Sequence, residues 1–206
     1  MHVLKAIIAI CCLCLFITLF PSNAPCQENE KPGLAIGHSM QLVSGLLYSP
    51  MIHTRRESLD YAMVDFRFGW LLDPARTSRR LGLNGTFEML VGLNYASVFE
   101  GPGSYFSGVT GSVRYDFMPP KERFVPYFQM GVGMVYNNIY RDKKQRLIGQ
   151  AIEFTPQASV GLHSFLNHNW ALDLEVMYHH ISNAGLADRN NGVNSLGGFI
   201  GATYRF

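Results

Sequence analysis

Near the C-terminus, His180 and Ser182 stand two residues apart, followed directly by Asn183, Ala184 and Gly185, with Asn194 beyond a short polar loop. On a strand, residues so spaced share a face and lie about 6.5 to 7 Å apart at Cα. An imidazole can bridge that distance to a serine hydroxyl and take its proton, as in covalent acyl transfer. Asn183 and the backbone N–H groups around Ala184 and Gly185 are the candidates for holding a developing oxyanion. Taken alone, an H-x-S pair is weak, because a His and a Ser at a strand rim are more often solvated. What raises it is the row it ends.

That row reads Leu172, Leu174, Val176, Tyr178, His180, Ser182, while the opposite parity holds Asp173, Glu175 and His179. Polar groups closing an otherwise lipid-facing row are costly unless they do something. The same period-two pattern recurs along the chain in runs of about ten residues separated by turn chemistry. Ala62, Val64, Phe66, Phe68 and Trp70 oppose Asp65 and Arg67; Phe87, Met89, Val91, Leu93 and Tyr95 oppose Glu88 and Asn94. Val109, Val113 and Tyr115 oppose Thr110, Arg114 and Asp116, and Phe128, Met130, Val132 and Met134 oppose Gln129 and glycines. Ile152, Phe154, Ala158 and Val160 oppose Glu153, Thr155, Gln157 and Ser159. With a weaker first run over 35–48 and a last one after Asn194, about eight amphipathic strands are expected. Pro126 and Pro156 each remove one ladder bond near the start of their run.

A soluble sandwich also alternates. Here, however, the apolar faces are almost pure, and the polar faces mix charges of both signs with Gly, Ser, Thr and Gln. A narrow membrane barrel needs that arrangement: an apolar outer band and a lumen whose charges pair. The expected fold is an all-β, eight-stranded antiparallel outer-membrane β-barrel. An interior of that size is filled by side chains, which disfavours a pore. Short connections at 118–122 and 166–169 put both termini on the periplasmic side and His180 and Ser182 at outer-leaflet depth.

Composition agrees. Charged residues are only 16% and net charge is +2, too weak for nucleic-acid binding. Residues 1–26 read as a signal peptide and 27–206 as the barrel, because the apolar stretch is too short to span a membrane. Cys11, Cys12 and Cys14 fall in that leader, leaving at most Cys26 and hence no disulfide framework. His53, His163 and His168 show no metal spacing, so no metal or other cofactor is expected.

The stretch His180-Ile-Ser182-Asn183-Ala184-Gly185-Leu186, with Asn190-Asn191-Gly192-Val193-Asn194-Ser195, resembles the C-terminal signature of the lipid A 3-O-deacylase (PagL-like, acyloxyacyl hydrolase) family. The final run Ile200–Phe206 is similar to the terminal aromatic strand of bacterial outer-membrane barrels. The resemblance implies an outer-membrane serine esterase hydrolysing the ester-linked 3-hydroxyacyl chain at the 3-position of lipid A. It implies Ser182 as nucleophile, His180 as base and Asn183 as oxyanion contributor. One position departs: Asn194 stands where the family has Glu, and Asp188 is the nearest alternative acid. The substrate partner would be lipopolysaccharide within outer-membrane lipid; its phosphates could meet Arg55, Arg56, Arg141, Lys143, Lys144, Arg146 and Arg189, which read equally well as solvated loop residues with Glu57, Asp60, Asp142 and Asp188 interspersed. A homodimer is compatible with these features. The rival reading is a non-catalytic barrel with a structural or lipopolysaccharide-binding role.

Overall fold

The computed structural model describes residues 35–49, 57–72, 85–117 and 123–206. The expected leader (1–26), His53, Arg55, Arg56 and the turns at 73–80 and 118–122 lie outside the described residues. Eight strands follow one another: β1 (Ala35–Tyr48), β2 (Asp60–Leu72), β3 (Thr86–Glu100), β4 (Tyr105–Asp116), β5 (Phe124–Asn137), β6 (Ile152–Phe165), β7 (Trp170–Ile181) and β8 (Val193–Arg205). Each pairs antiparallel with the next, and β8 returns to β1, closing the barrel. Closure leaves no unpaired sheet edge, the condition for a β-structure to sit in hydrocarbon. No helix among the described residues is long and apolar enough to cross a membrane; the strands carry that role.

The sequence periodicity maps onto the two faces. Along β7 the odd positions from Ala171 to Ile181 are buried, and the even ones from Leu172 to Tyr178 are exposed. Leu93, Met130, Val132, Leu174 and Ile200 all stand outward and exposed. Aromatic pairs mark both ends of this apolar surface. Tyr48 meets Phe99 at one end, and Phe68–Trp70 (edge-on) and Trp170–Tyr204 (tilted) pack at the other, with ring centroids 4.9 Å apart in the last two pairs.

Inside, the half nearer the termini is polar and linked by ion pairs and hydrogen bonds. The Arg67 guanidinium donates to Asp65 at 2.7 Å and to both Glu175 oxygens at 2.7 and 3.0 Å, while Tyr127 adds a third bond to Glu175. Arg114 donates to Glu88 and Gln129, Asp173 gathers Gln41, Thr203 and His163, and Arg205 reaches Asp116. These charges are buried, so removing one partner strands the other at about 3–5 kcal/mol. We expect Arg67→Met to lower barrel stability by that amount, and adding Asp65→Leu and Glu175→Leu together to recover most of it. Urea unfolding in detergent micelles, followed by gel mobility of the folded form, reads both.

The other half of the lumen differs from the simple polar-inside expectation. Leu47, Tyr61, Met63, Phe106, Val135, Met177, Ile181, Val193 and Phe199 form a buried apolar cluster. The 138–151 connection folds over it and inserts Ile139, Leu147 and Ile148. A narrow barrel mouth facing no channel gains more from packed apolar side chains than from charges that would each need a partner. Connection lengths divide the two ends less cleanly than the sequence suggested, since the 101–104 turn is as short as the one at 166–169. The end carrying 138–151 and 182–192 is nonetheless the one that bears the site.

Candidate active site

His180 is the last outward residue of β7, and its register partner on β8 is Asn194. Their side chains meet: His180 Nδ1 lies 2.6 Å from Asn194 Oδ1. An amide oxygen only accepts, so the Nδ1 proton must sit on the ring and Nε2 carries the basic lone pair. That is the tautomer a general base needs. Asn194 Oδ1 also accepts from the Tyr178 hydroxyl at 2.7 Å. Tyr178 escaped the sequence reading as a site residue; its place two positions before His180, on the same face, was the available signal.

Ser182 lies just past the end of β7, yet it stays in register. Its N–H donates to the Phe154 carbonyl at 3.0 Å and its carbonyl accepts from the Phe154 N–H at 2.8 Å. Between this pair and Gln157↔His179 the β6–β7 ladder is interrupted. Pro156 sits in that gap and has no N–H to give. Ser182 therefore remains on His180's face, fixed by backbone bonds that leave its hydroxyl free of structural duty. The expected His180–Ser182 side-chain hydrogen bond is not formed among the described residues. Nε2 has no other protein partner there, and one rotation about Cα–Cβ turns the hydroxyl. Catalytic hydrogen bonds commonly tighten only with substrate in place.

The loop after Ser182 is held from within. Asn183 is fully buried; its Oδ1 accepts from the Gly185 N–H at 3.0 Å and its Nδ2 donates to the Arg189 carbonyl at 3.1 Å. The Asn183 N–H is itself taken by Asn190 Oδ1 at 3.0 Å. The side chain thus shapes the turn rather than facing outward beside Ser182. Ala184 and Gly185 follow at φ 55° and 82°. A left-handed alanine is uncommon and costs energy that its surroundings must impose. The Ala184 N–H enters none of the hydrogen bonds among the described residues, which makes it the exposed donor nearest Ser182 in sequence.

Two expectations for this region change. Arg189 does not present its guanidinium to a substrate phosphate: it donates to the carbonyls of Tyr140, Asp142, Gln145 and Gly149, stapling the 183–192 loop to 138–151. Carbonyls of the 138–151 connection supply acceptors that no charge pattern in the sequence reveals. Asp188 makes no contact with His180 among the described residues, so of these two candidates only Asn194 meets the imidazole. Arg141, Lys143, Lys144 and Arg146 remain exposed on the adjoining loop.

Gly192 packs against the imidazole. It has φ 64°, and a Cβ there would sit 3.1 Å from His180 Cε1. We expect Gly192→Ala to push the ring off its bond to Asn194 and lower kcat about tenfold or more, since small misplacements are expensive. Barrel stability should fall by only about 1 kcal/mol. Initial rates and thermal unfolding of the same preparation check both halves.

From His180 and Asn194 a shallow apolar trough of about 960 Å³ runs over the outside of the barrel, past Tyr178, Pro156, Ala158, Met130, Val132 and Gly111 to Trp70. Tyr178, Ala158, Met130, Val113, Met89 and Trp70 are successive register partners across β7 to β2. Tyr178 is near the loop end of β7, whereas Trp70 is near the opposite end of β2. Tilted strands make a row perpendicular to them descend along the wall, so the trough leads from the site into the hydrocarbon.

The sequence profile of the lipid A 3-O-deacylase (PagL) family matches residues 60–203. Among solved structures, the outer membrane enzyme PagL aligns with TM-score 0.52 at 20% identity, covering 78% of this chain and 97% of that one. Neisserial surface protein A gives 0.55 at 13% identity, covering 82% and 95%. The N-terminal β-barrel domain of Pseudomonas aeruginosa OprF gives 0.50 at 15%, covering 82% and 97%. At such identities these structures speak to the fold. No curated protein matches the chain in sequence.

Proposed function

The chain belongs to the lipid A 3-O-deacylase (PagL) family, and from that premise we propose that it removes the ester-linked 3-hydroxyacyl chain of lipid A by a metal-free serine mechanism. An ester hydrolase and an outer-membrane β-barrel, it carries His180, Ser182 and Asn194 on the face turned to lipid. The observation that carries the mechanism is the bond from His180 Nδ1 to Asn194 Oδ1, which leaves Nε2 as the basic nitrogen on the strand face that Ser182 shares.

In the proposed cycle the Ser182 hydroxyl attacks the ester carbonyl and passes its proton to His180 Nε2. The tetrahedral oxyanion takes the Ala184 N–H, in a turn that Asn183 holds in shape. Collapse of the intermediate breaks the bond to the sugar oxygen, and His180 returns the proton to that leaving alcohol. An acyl-Ser182 ester remains. Water, deprotonated by His180, attacks it, releases the hydroxy fatty acid and restores Ser182. The acyl chain lies in the apolar trough throughout, and Arg141, Lys143, Lys144 and Arg146 face the headgroup region, where lipid A phosphates lie. An exported chain, with residues 1–26 cleaved as a signal peptide, places the site at the outer leaflet.

Mass spectrometry of lipid A after incubation of lipopolysaccharide with the purified, folded barrel tests the proposal. The expected product has lost the mass of one hydroxyacyl chain. An unchanged mass would favour a non-catalytic lipopolysaccharide-binding barrel.

A further inference from the structure

Resting on the serine-esterase reading above, a second question is how long an acyl chain the site accepts. We infer that Gly111, at the middle of β4, sets the upper length of the acyl chain by leaving the floor of the trough open at mid-membrane. The path is fixed by register. On the row carrying His180, Pro156 pairs with Val132, Val132 with Gly111, and Gly111 with Val91. Strands lie about 4.8 Å apart, so the three steps from β7 to β4 carry the row about 14 Å from His180. A fully extended chain advances about 1.2 Å per bond, as the polypeptide itself does. With Ser182 about 6.5 to 7 Å further along β7, the path is about 16 Å, and Gly111 lies under roughly the thirteenth carbon of an acyl group held there.

Every neighbouring position on this row bears a side chain that a passing acyl group must lie against. At Gly111 the wall carries none, and a Cβ there would meet nothing within 4 Å. Its outward direction follows from the alternation in β4, where Arg114 and Asp116 are buried and Val109 and Val113 exposed. Beyond Gly111 the trough continues to Met89 and Trp70, so a longer chain has somewhere to go. A branched side chain at 111 would close that passage. Chains ending before it would be unaffected, and longer ones would lose contact with the floor or be displaced from Ser182.

The test uses p-nitrophenyl octanoate and tetradecanoate in mixed detergent micelles, with the full-length folded barrel. For Gly111→Leu the ratio of kcat/KM for tetradecanoate over octanoate should fall about tenfold or more, the scale on which a few methylenes are discriminated in an apolar pocket. Gly198→Leu is the matched control. Gly198 also faces outward with nothing within 4 Å of a built Cβ, but it lies on β8, outside the trough. It should leave the ratio at the wild-type value. An unchanged ratio in Gly111→Leu, or an equal fall in Gly198→Leu, would overturn the inference while leaving the esterase reading intact. Failure of the folded wild type to hydrolyse either ester would overturn both.

Discussion

Ser182→Ala yields a barrel that folds and inserts as the wild type does but leaves lipid A intact, its hydrolytic rate down by about 10⁴-fold or more. The size follows from covalent catalysis: without the nucleophile only binding and oxyanion stabilisation remain, and removing one member of such a unit costs about as much as removing all of it. His180→Ala should therefore give a loss of similar size, and the double variant little more. The structural cost should stay within about 0.5 kcal/mol, because Ser182 is tied to Phe154 through its backbone and its hydroxyl enters no hydrogen bond among the described residues. Gel mobility of heated and unheated samples checks the fold, and lipid A mass spectra with time check the rate. A Ser182→Ala barrel that still released the hydroxyacyl chain would remove serine chemistry from consideration.

The strands were legible because lipid on one side and a crowded lumen on the other enforce strict alternation. Residues 35–48 are strand over their full length despite their weaker pattern, since β1 must pair with both β2 and β8 to close the ring. The outward turn of His180 and its pairing with Asn194 followed from parity alone. Parity could not tell how the loops spend their polar groups. Arg189 looked like a free cation, and only the folded 138–151 connection shows the four carbonyls it serves. Asn183 looked like a catalytic amide, although its bond to the Gly185 N–H is the local Asx turn that an Asn two residues before a Gly often makes. The apolar upper lumen was written in Tyr61, Met63, Val135, Met177 and Ile181. Its meaning depends on Ile139, Leu147 and Ile148 arriving from a loop.

The third position gives the second large effect. In serine proteases, replacing the acid by its amide costs about 10⁴, chiefly because the amide favours the wrong imidazole tautomer. Here the amide oxygen already faces Nδ1, and the Tyr178 hydroxyl shares that oxygen, so the tautomer is right and only the charge is missing. Asn194→Leu removes the acceptor altogether. We expect it to lower kcat by about 10³-fold or more, as the ring loses both its orientation and its preferred tautomer. Asn194→Glu keeps an acceptor and adds a negative charge about 5 Å from the imidazolium formed in the transition state. At an effective dielectric constant near 20 that is worth about 1–3 kcal/mol after desolvation, or roughly ten- to a hundredfold in kcat. A Glu variant no faster than wild type would mean that the Tyr178–Asn194 pair already supplies what the carboxylate provides.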